Sequence, residues 1–228
     1  MWGRGGANDE HHRGIALGLL SFVAGSMDAI AFLTLGDVFT SAMSGNTILL
    51  GLALGQGRMS AASHSIAAFM GYVVGVAGAA LPLRAPTRGI ERTLVLETLF
   101  LAAFAGLWTA SAGSVHQTTI YGLIILSAIA MGLQGAVGRS IGITGIPTIV
   151  ITSTLTAIVG ALAERVLTAD RPLFTALTLR QIKTFVIYLA SAVATGVAIS
   201  HGLVGLPFAP FAAVLALVLG QRLRLLRL

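Results

Sequence analysis

The run from Gly25 to Thr47, GSMDAIAFLTLGDVFTSAMSGNT, sets a carboxylate inside an apolar stretch, then a Gly-Asp turn, then a short segment opening on Ser44-Gly45-Asn46-Thr47. Upstream the apolar character continues back to Gly14, so Asp28 falls within a segment, 14–35, of the length that crosses a bilayer. A crossing helix needs about 20 mainly apolar residues. Downstream, 41–56 is short and rich in small polar residues. The same alternation continues along the chain, with apolar segments at 61–83, 93–112, 118–137, 148–163, 184–201 and 203–221. Of the eight, 41–56 and 148–163 are the two whose crossing is in question.

Composition agrees with lipid as the solvent. The 228 residues are 56% hydrophobic and 10% charged, with a mean hydropathy of +0.91, whereas soluble domains carry about a quarter charged residues. The reading is an all-α integral membrane protein, with residues 1–13 a polar cytoplasmic tail and 14–228 a single polytopic transmembrane domain. The tail holds Asp9, Glu10 and two histidines and has no small-residue cleavage site at its end, so removal as a signal peptide is not expected. The net charge of +6 comes from residues scattered between apolar runs. That pattern fits loops facing anionic lipid and does not call for nucleic acid. Cysteine is absent, which excludes disulfides and thiolate chemistry. Metalloprotease, phosphate-loop and nucleophile-elbow motifs are also missing, so neither an enzymatic reaction nor a cofactor is expected.

Charge bias orients the chain. If all eight segments cross with the N-terminus inside, Arg84, Arg88, Arg92 and Arg139 fall outside, leaving ten of the fourteen basic residues in the cytoplasm. If 41–56 and 148–163 enter and return on one side, only Arg58 falls outside. The second arrangement, about six transmembrane helices plus two re-entrant half-helices with both termini cytoplasmic, is preferred. Residues 37–44, extended at about 3.3 Å each, reach the middle of a core about 30 Å thick. Non-helical backbone at that depth must be covered by protein or line a cavity.

Six spans and two re-entrant segments divide into halves, about 14–112 and 118–221, of the same order and opposite orientation. An offset of 106 pairs Ala24 with Ala130, Asp28 with Gln134 and Gly36 with Gly142, and two residues more pair Thr40–Asn46 with Thr148–Thr154. Broken helices at corresponding places in inverted halves point to a transporter's binding site.

The candidate site residues follow. Asp28 must face the bundle interior, protonated or hydrogen-bonded; it serves substrate contact or proton coupling, or it holds a helix end or loop. Ser44, Gly45, Asn46 and Thr47 open the first half-helix, and Thr152, Ser153 and Thr154 are their counterparts. Two helix starts meeting at mid-membrane suit an anion or other strong acceptor; ordinary capping or close packing is the structural alternative. Gln134 is a polar partner for the site. Glu97 is expected in an ion pair with Arg92 or Arg88. The small-residue pairs Gly14/Gly18, Gly51/Gly55, Gly71/Gly75 and Gly138/Gly142 are packing signals.

The stretch Gly25–Phe39 with Met43-Ser-Gly-Asn-Thr47 resembles the hallmark of the YoaK family, bacterial inner-membrane proteins catalogued as domain of unknown function 1275. A second hallmark is similar: Ala130-Met-Gly-Leu-Gln134 with Arg139, Pro147-Thr148 and Thr152-Ser-Thr-Leu-Thr156. The family usually has Thr-Gly at the position of Thr152-Ser153, and often a threonine at Pro147. The resemblance implies a bacterial membrane protein of about six spans and no agreed activity. From the residues, the leading expectation is a small-solute transporter or channel for an anionic or polar solute, alone or as a homo-oligomer. The alternative is a non-transporting scaffold or partner-binding subunit.

Overall fold

The computed structural model describes residues 4–85, 88–111, 116–141, 147–167, 175–203 and 205–226, with the side chains of 4–9, 147–153 and 165–167 excluded. Among the described residues all regular structure is helical: α1 (Arg4–Thr34), α2 (Met43–Gly55), α3 (Met59–Leu83), α4 (Gly89–Ala110), α5 (Gln117–Ser140), α6 (Pro147–Leu167), α7 (Ala176–Ser200) and α8 (Phe208–Arg222). Five are long and apolar enough to cross a membrane: the Glu10–Thr34 part of α1, and α3, α4, α5 and α7. At 1.5 Å per residue α2 is only about 20 Å long and α8 about 22 Å, against a hydrocarbon core of about 30 Å. α1 and α5 are the most enclosed of the long helices, and α3 and α7 the least. The core between them is filled by Leu17, Leu20, Met27 and Ile30 of α1, Phe104 of α4, Met131 of α5 and Leu217 of α8.

Helix directions follow from pairwise contacts. Gln117 of α5 donates to the Ser60 hydroxyl of α3 at 3.4 Å, and the Ser63 and Tyr121 hydroxyls lie 2.5 Å apart. Further along, a Cβ on Gly75 would stand 2.2 Å from the Ile129 carbonyl oxygen. α3 and α5 therefore run parallel. α1 and α7 are parallel too: Arg180 reaches Glu10 at 3.4 Å, a Cβ on Gly25 would meet the Tyr188 carbonyl oxygen at 2.3 Å, and Gly196 abuts Leu33. In both seams a glycine lies under a tyrosine carbonyl, since a Cβ on Gly132 would sit 2.3 Å from the Tyr72 oxygen. Small residues let membrane helices approach this closely.

Arg222 of α8 pairs with Glu91 of α4 at 3.1 Å, and Arg88 stands 3.9 Å from the same carboxylate. With Arg180 on Glu10, these pairs mark a basic end of the bundle. At the opposite end Gly36 follows α1 with φ +95°, and a Cβ there would lie 2.5 Å from His64 Nδ1. His64 Nε2 in turn lies 3.1 Å from Gln117 Nε2. The end of α1 and the starts of α3 and α5 thus meet.

Several boundaries differ from expectation. α1 extends back through the polar tail to Arg4, and α7 begins at Ala176 rather than near 184. In α7 the Thr175 hydroxyl accepts the Thr178 N–H at 3.1 Å and caps a polar first stretch that hydropathy alone passes over. Of the small-residue pairs, Gly71/Gly75 is at a helix seam; Gly14, Gly51 and Gly55 have open space beside them. Glu97 has no ion pair among the described residues. Arg88 turns instead to Glu91, and Glu97 is fully buried.

Candidate functional site

Asp28 lies six residues before the end of α1, about 9 Å in from that end of the helix. The carboxylate draws the following loop back to this depth. Its Oδ1 accepts the N–H of Thr40 at 2.8 Å, the N–H of Ser41 at 2.7 Å and the Thr40 hydroxyl at 3.3 Å. Its Oδ2 accepts the Tyr188 hydroxyl of α7 at 2.8 Å and the hydroxyl of Ser41. Asp28, Thr40 and Ser41 are all buried. In so apolar an interior a carboxylate needs such donors, and two backbone amides beside three hydroxyls supply them.

Asn46 completes the fold-back. Its Oδ1 accepts the Phe39 N–H at 2.8 Å and its Nδ2 donates to the Phe39 carbonyl at 2.5 Å, so the side chain pairs with the loop as another strand's peptide would. Phe39 stacks on Phe32 of α1, with centroids 5.0 Å apart. Gly45 passes close to the Phe39 ring, where a Cβ would stand 2.9 Å from it. The first turn of α2 is held by no side-chain cap. Ser44 and Thr47 are exposed, and the Thr47 hydroxyl donates to the Met43 carbonyl at 3.0 Å.

Replacing Asn46 by Asp keeps the acceptor and removes the donor, leaving the half-buried Phe39 carbonyl facing an oxygen. A loss of about 1–3 kcal/mol is expected, read as a lower melting temperature in detergent. Thr47→Ala, which loses one exposed hydroxyl, is the matched control.

The other expected site residues divide. Gln134 of α5 is fully buried and donates from Nε2 to the Leu20 carbonyl of α1 at 3.0 Å, bridging the two central helices. Thr154 of α6 is buried with its hydroxyl unpartnered among the described residues. Thr152 and Ser153 lie in α6, but their side chains are outside the described residues. α6 touches both α1 and α2. A groove of about 400 Å³ between α1 and α7 at the basic end is lined by Glu10, Arg180 and Lys183 and by none of the expected site residues. No group of three metal-ligating side chains occurs among the described residues.

Tyr188 is a site residue that sequence reading missed. The available signal was a lone phenol in the middle of the apolar run of α7, a group that needs a partner when buried.

Long apolar helices around buried, hydrogen-bonded polar side chains define a helical membrane protein. The chain matches the family described as "Protein of unknown function (DUF1275)" over residues 16–220 and belongs to it. It is 35% identical over 156 residues to the UPF0700 transmembrane protein YoaK of Bacillus subtilis (strain 168), covering 68% of this chain and 69% of that one. No solved structure matches.

Proposed function

We propose that the chain is a transporter of a small polar or anionic solute. In this reading six helices cross the bilayer, α2 and α6 are half-helices entering from opposite faces, and the solute binds between their amino-terminal turns. Ser44, Gly45 and Thr47 of α2 and the 152–154 turn of α6 make up the site. Asp28, Asn46 and Gln134 hold the surrounding backbone. The basic end faces the cytoplasm of a bacterial inner membrane, with both termini there, and the protein carries out no covalent chemistry.

The observation that carries the reading is the contact of Gly36 with His64. Residues 37–58 leave and rejoin the same end of the bundle, while Thr40 and Ser41 between them are pinned to Asp28 inside it. A helix of about 20 Å that starts at that depth and returns to that end is a half-helix. The exchange of α1–α4 with α5–α8 supports the inverted halves. It carries the α3–α5 seam onto α7–α1, α4–α5 onto α8–α1, and α2–α3 onto α6–α7, all of which are packed pairs.

Single cysteines replacing Arg13 and Arg58 test the threading in sealed membranes. Impermeant reagent outside should label position 58, and position 13 should react only after permeabilisation; the same response at both positions means that α2 crosses. For function, a solute panel should contain a compound that raises the melting temperature of the purified protein, since ligand bound only to the folded state stabilises it. That shift should vanish in Ser44→Ala/Thr47→Ala. A panel without a hit, together with no flux in proteoliposomes, favours the scaffold.

A further inference from the structure

Glu97 lies eight residues into α4, about 12 Å along the helix from Gly89, and is completely buried. Neither carboxyl oxygen has a partner among the described residues. The contrast with Asp28, which takes five donors, is sharp: one buried carboxylate is fixed by hydrogen bonds and the other is left with none. The helices that pack against α4 are α3, α5 and α8. Gln134 of α5 and Gln221 of α8 each leave a buried Oε1 unpartnered as well.

The charged and titratable groups of these helices are engaged elsewhere or point away. Arg222 is on Glu91, Tyr121 on Ser63 and His64 beside Gln117. Tyr72 lies against Gly135, and Arg84 and Arg139 are exposed. On α4 itself Arg88 turns to Glu91 and Arg92 is exposed.

We infer that Glu97 is a proton-carrying group: a carboxyl that rests neutral in the core and exchanges its proton with water at the basic end during the transport cycle. This rests on the transporter reading for its role, though not for its chemistry. An ionised carboxylate without a counter-charge or donor is untenable at this depth, and intramembrane carboxyls that carry protons have this setting. The positive charge it accepts is a proton rather than a metal ion, because a hard cation needs about six oxygens. Among the described residues no group of three metal-ligating side chains forms around Glu97 or elsewhere. Because neither oxygen has a hydrogen-bond partner among the described residues, releasing the proton breaks no hydrogen bond there. Gln221 stands one residue from the Arg222–Glu91 pair at the basic end.

Infrared difference spectroscopy of the purified protein in lipid tests this without any solute. A band of a neutral carboxylic acid should be present, shift when water is replaced by heavy water, and disappear as pH is raised. It should be absent in Glu97→Gln and retained in Asp28→Asn. Isotope-labelled glutamate should move it in the native protein, which identifies a glutamate even if the variant does not fold. Absence of the band at every pH, or a band that heavy water leaves in place, overturns the proposal. Loss of the band on adding sodium at constant pH also overturns it, in favour of a metal-cation site. If the band behaves as expected but no solute is carried, the proton site stands and the transporter reading fails.

Discussion

Asp28→Ala is expected to unseat the loop ahead of α2 and to lower stability more than any other single change in the fold-back. Alanine leaves the N–H groups of Thr40 and Ser41 with no acceptor in a buried position. Hydroxyls of Ser41, Thr40 and Tyr188 can turn to other acceptors, but the two amides cannot. At about 1–3 kcal/mol for each stranded donor, the loss is about 2–6 kcal/mol. Asp28→Asn retains an oxygen for both amides and should lose much less. The ratio of the two effects in thermal melts separates an anchoring carboxylate from one that acts through its charge. If Ala and Asn are equally mild, the anchor is not what holds α2 inside the bundle.

Gly25→Ala is expected to force α1 and α7 apart. The added Cβ would stand 2.2 Å from the Ser191 hydroxyl and 2.3 Å from the Tyr188 carbonyl oxygen. The hydroxyl can rotate away, but the carbonyl is part of the α7 backbone and moves only with the helix. Overpacking of this kind costs about 1–3 kcal/mol, and displacing Tyr188 also takes its hydroxyl from Asp28. Gly132→Ala should behave alike, against Tyr72. Gly51→Ala and Gly55→Ala, with nothing within 4 Å of the new methyl group, are the contrast. Melting temperatures should fall for the first pair and hold or rise for the second. A uniform response across the four would mean that helix propensity outweighs the seams.

The class of the protein was legible because hydropathy over 20 residues is a sum, insensitive to which neighbour each residue meets. The special character of 37–47 was legible for the same reason: Gly36, Asp37 and the small polar residues interrupt an otherwise continuous apolar run. Partners were not legible. Asp28 looked open to substrate contact, proton coupling or loop anchoring, and the choice depends on Thr40, Ser41 and Tyr188 converging from two other elements. Glu97 was expected beside Arg92 or Arg88 because they are close in sequence. Helix phase turns Glu91 toward that arginine and Glu97 into the core. Glycine spacing likewise marked four candidate seams without saying which face another helix would press. It passed over Gly25 and Gly132, whose neighbours are set by tertiary packing alone.

The two glycine–tyrosine seams each join a helix from the front of the chain to one from the back. Neither half can close its own seam: α1 lacks its mate without α7, and α5 lacks its mate without α3. The gene cut between α4 and α5 should therefore yield two pieces that survive only when made together. In the assembled protein the closest seams therefore interlock the front of the chain with the back.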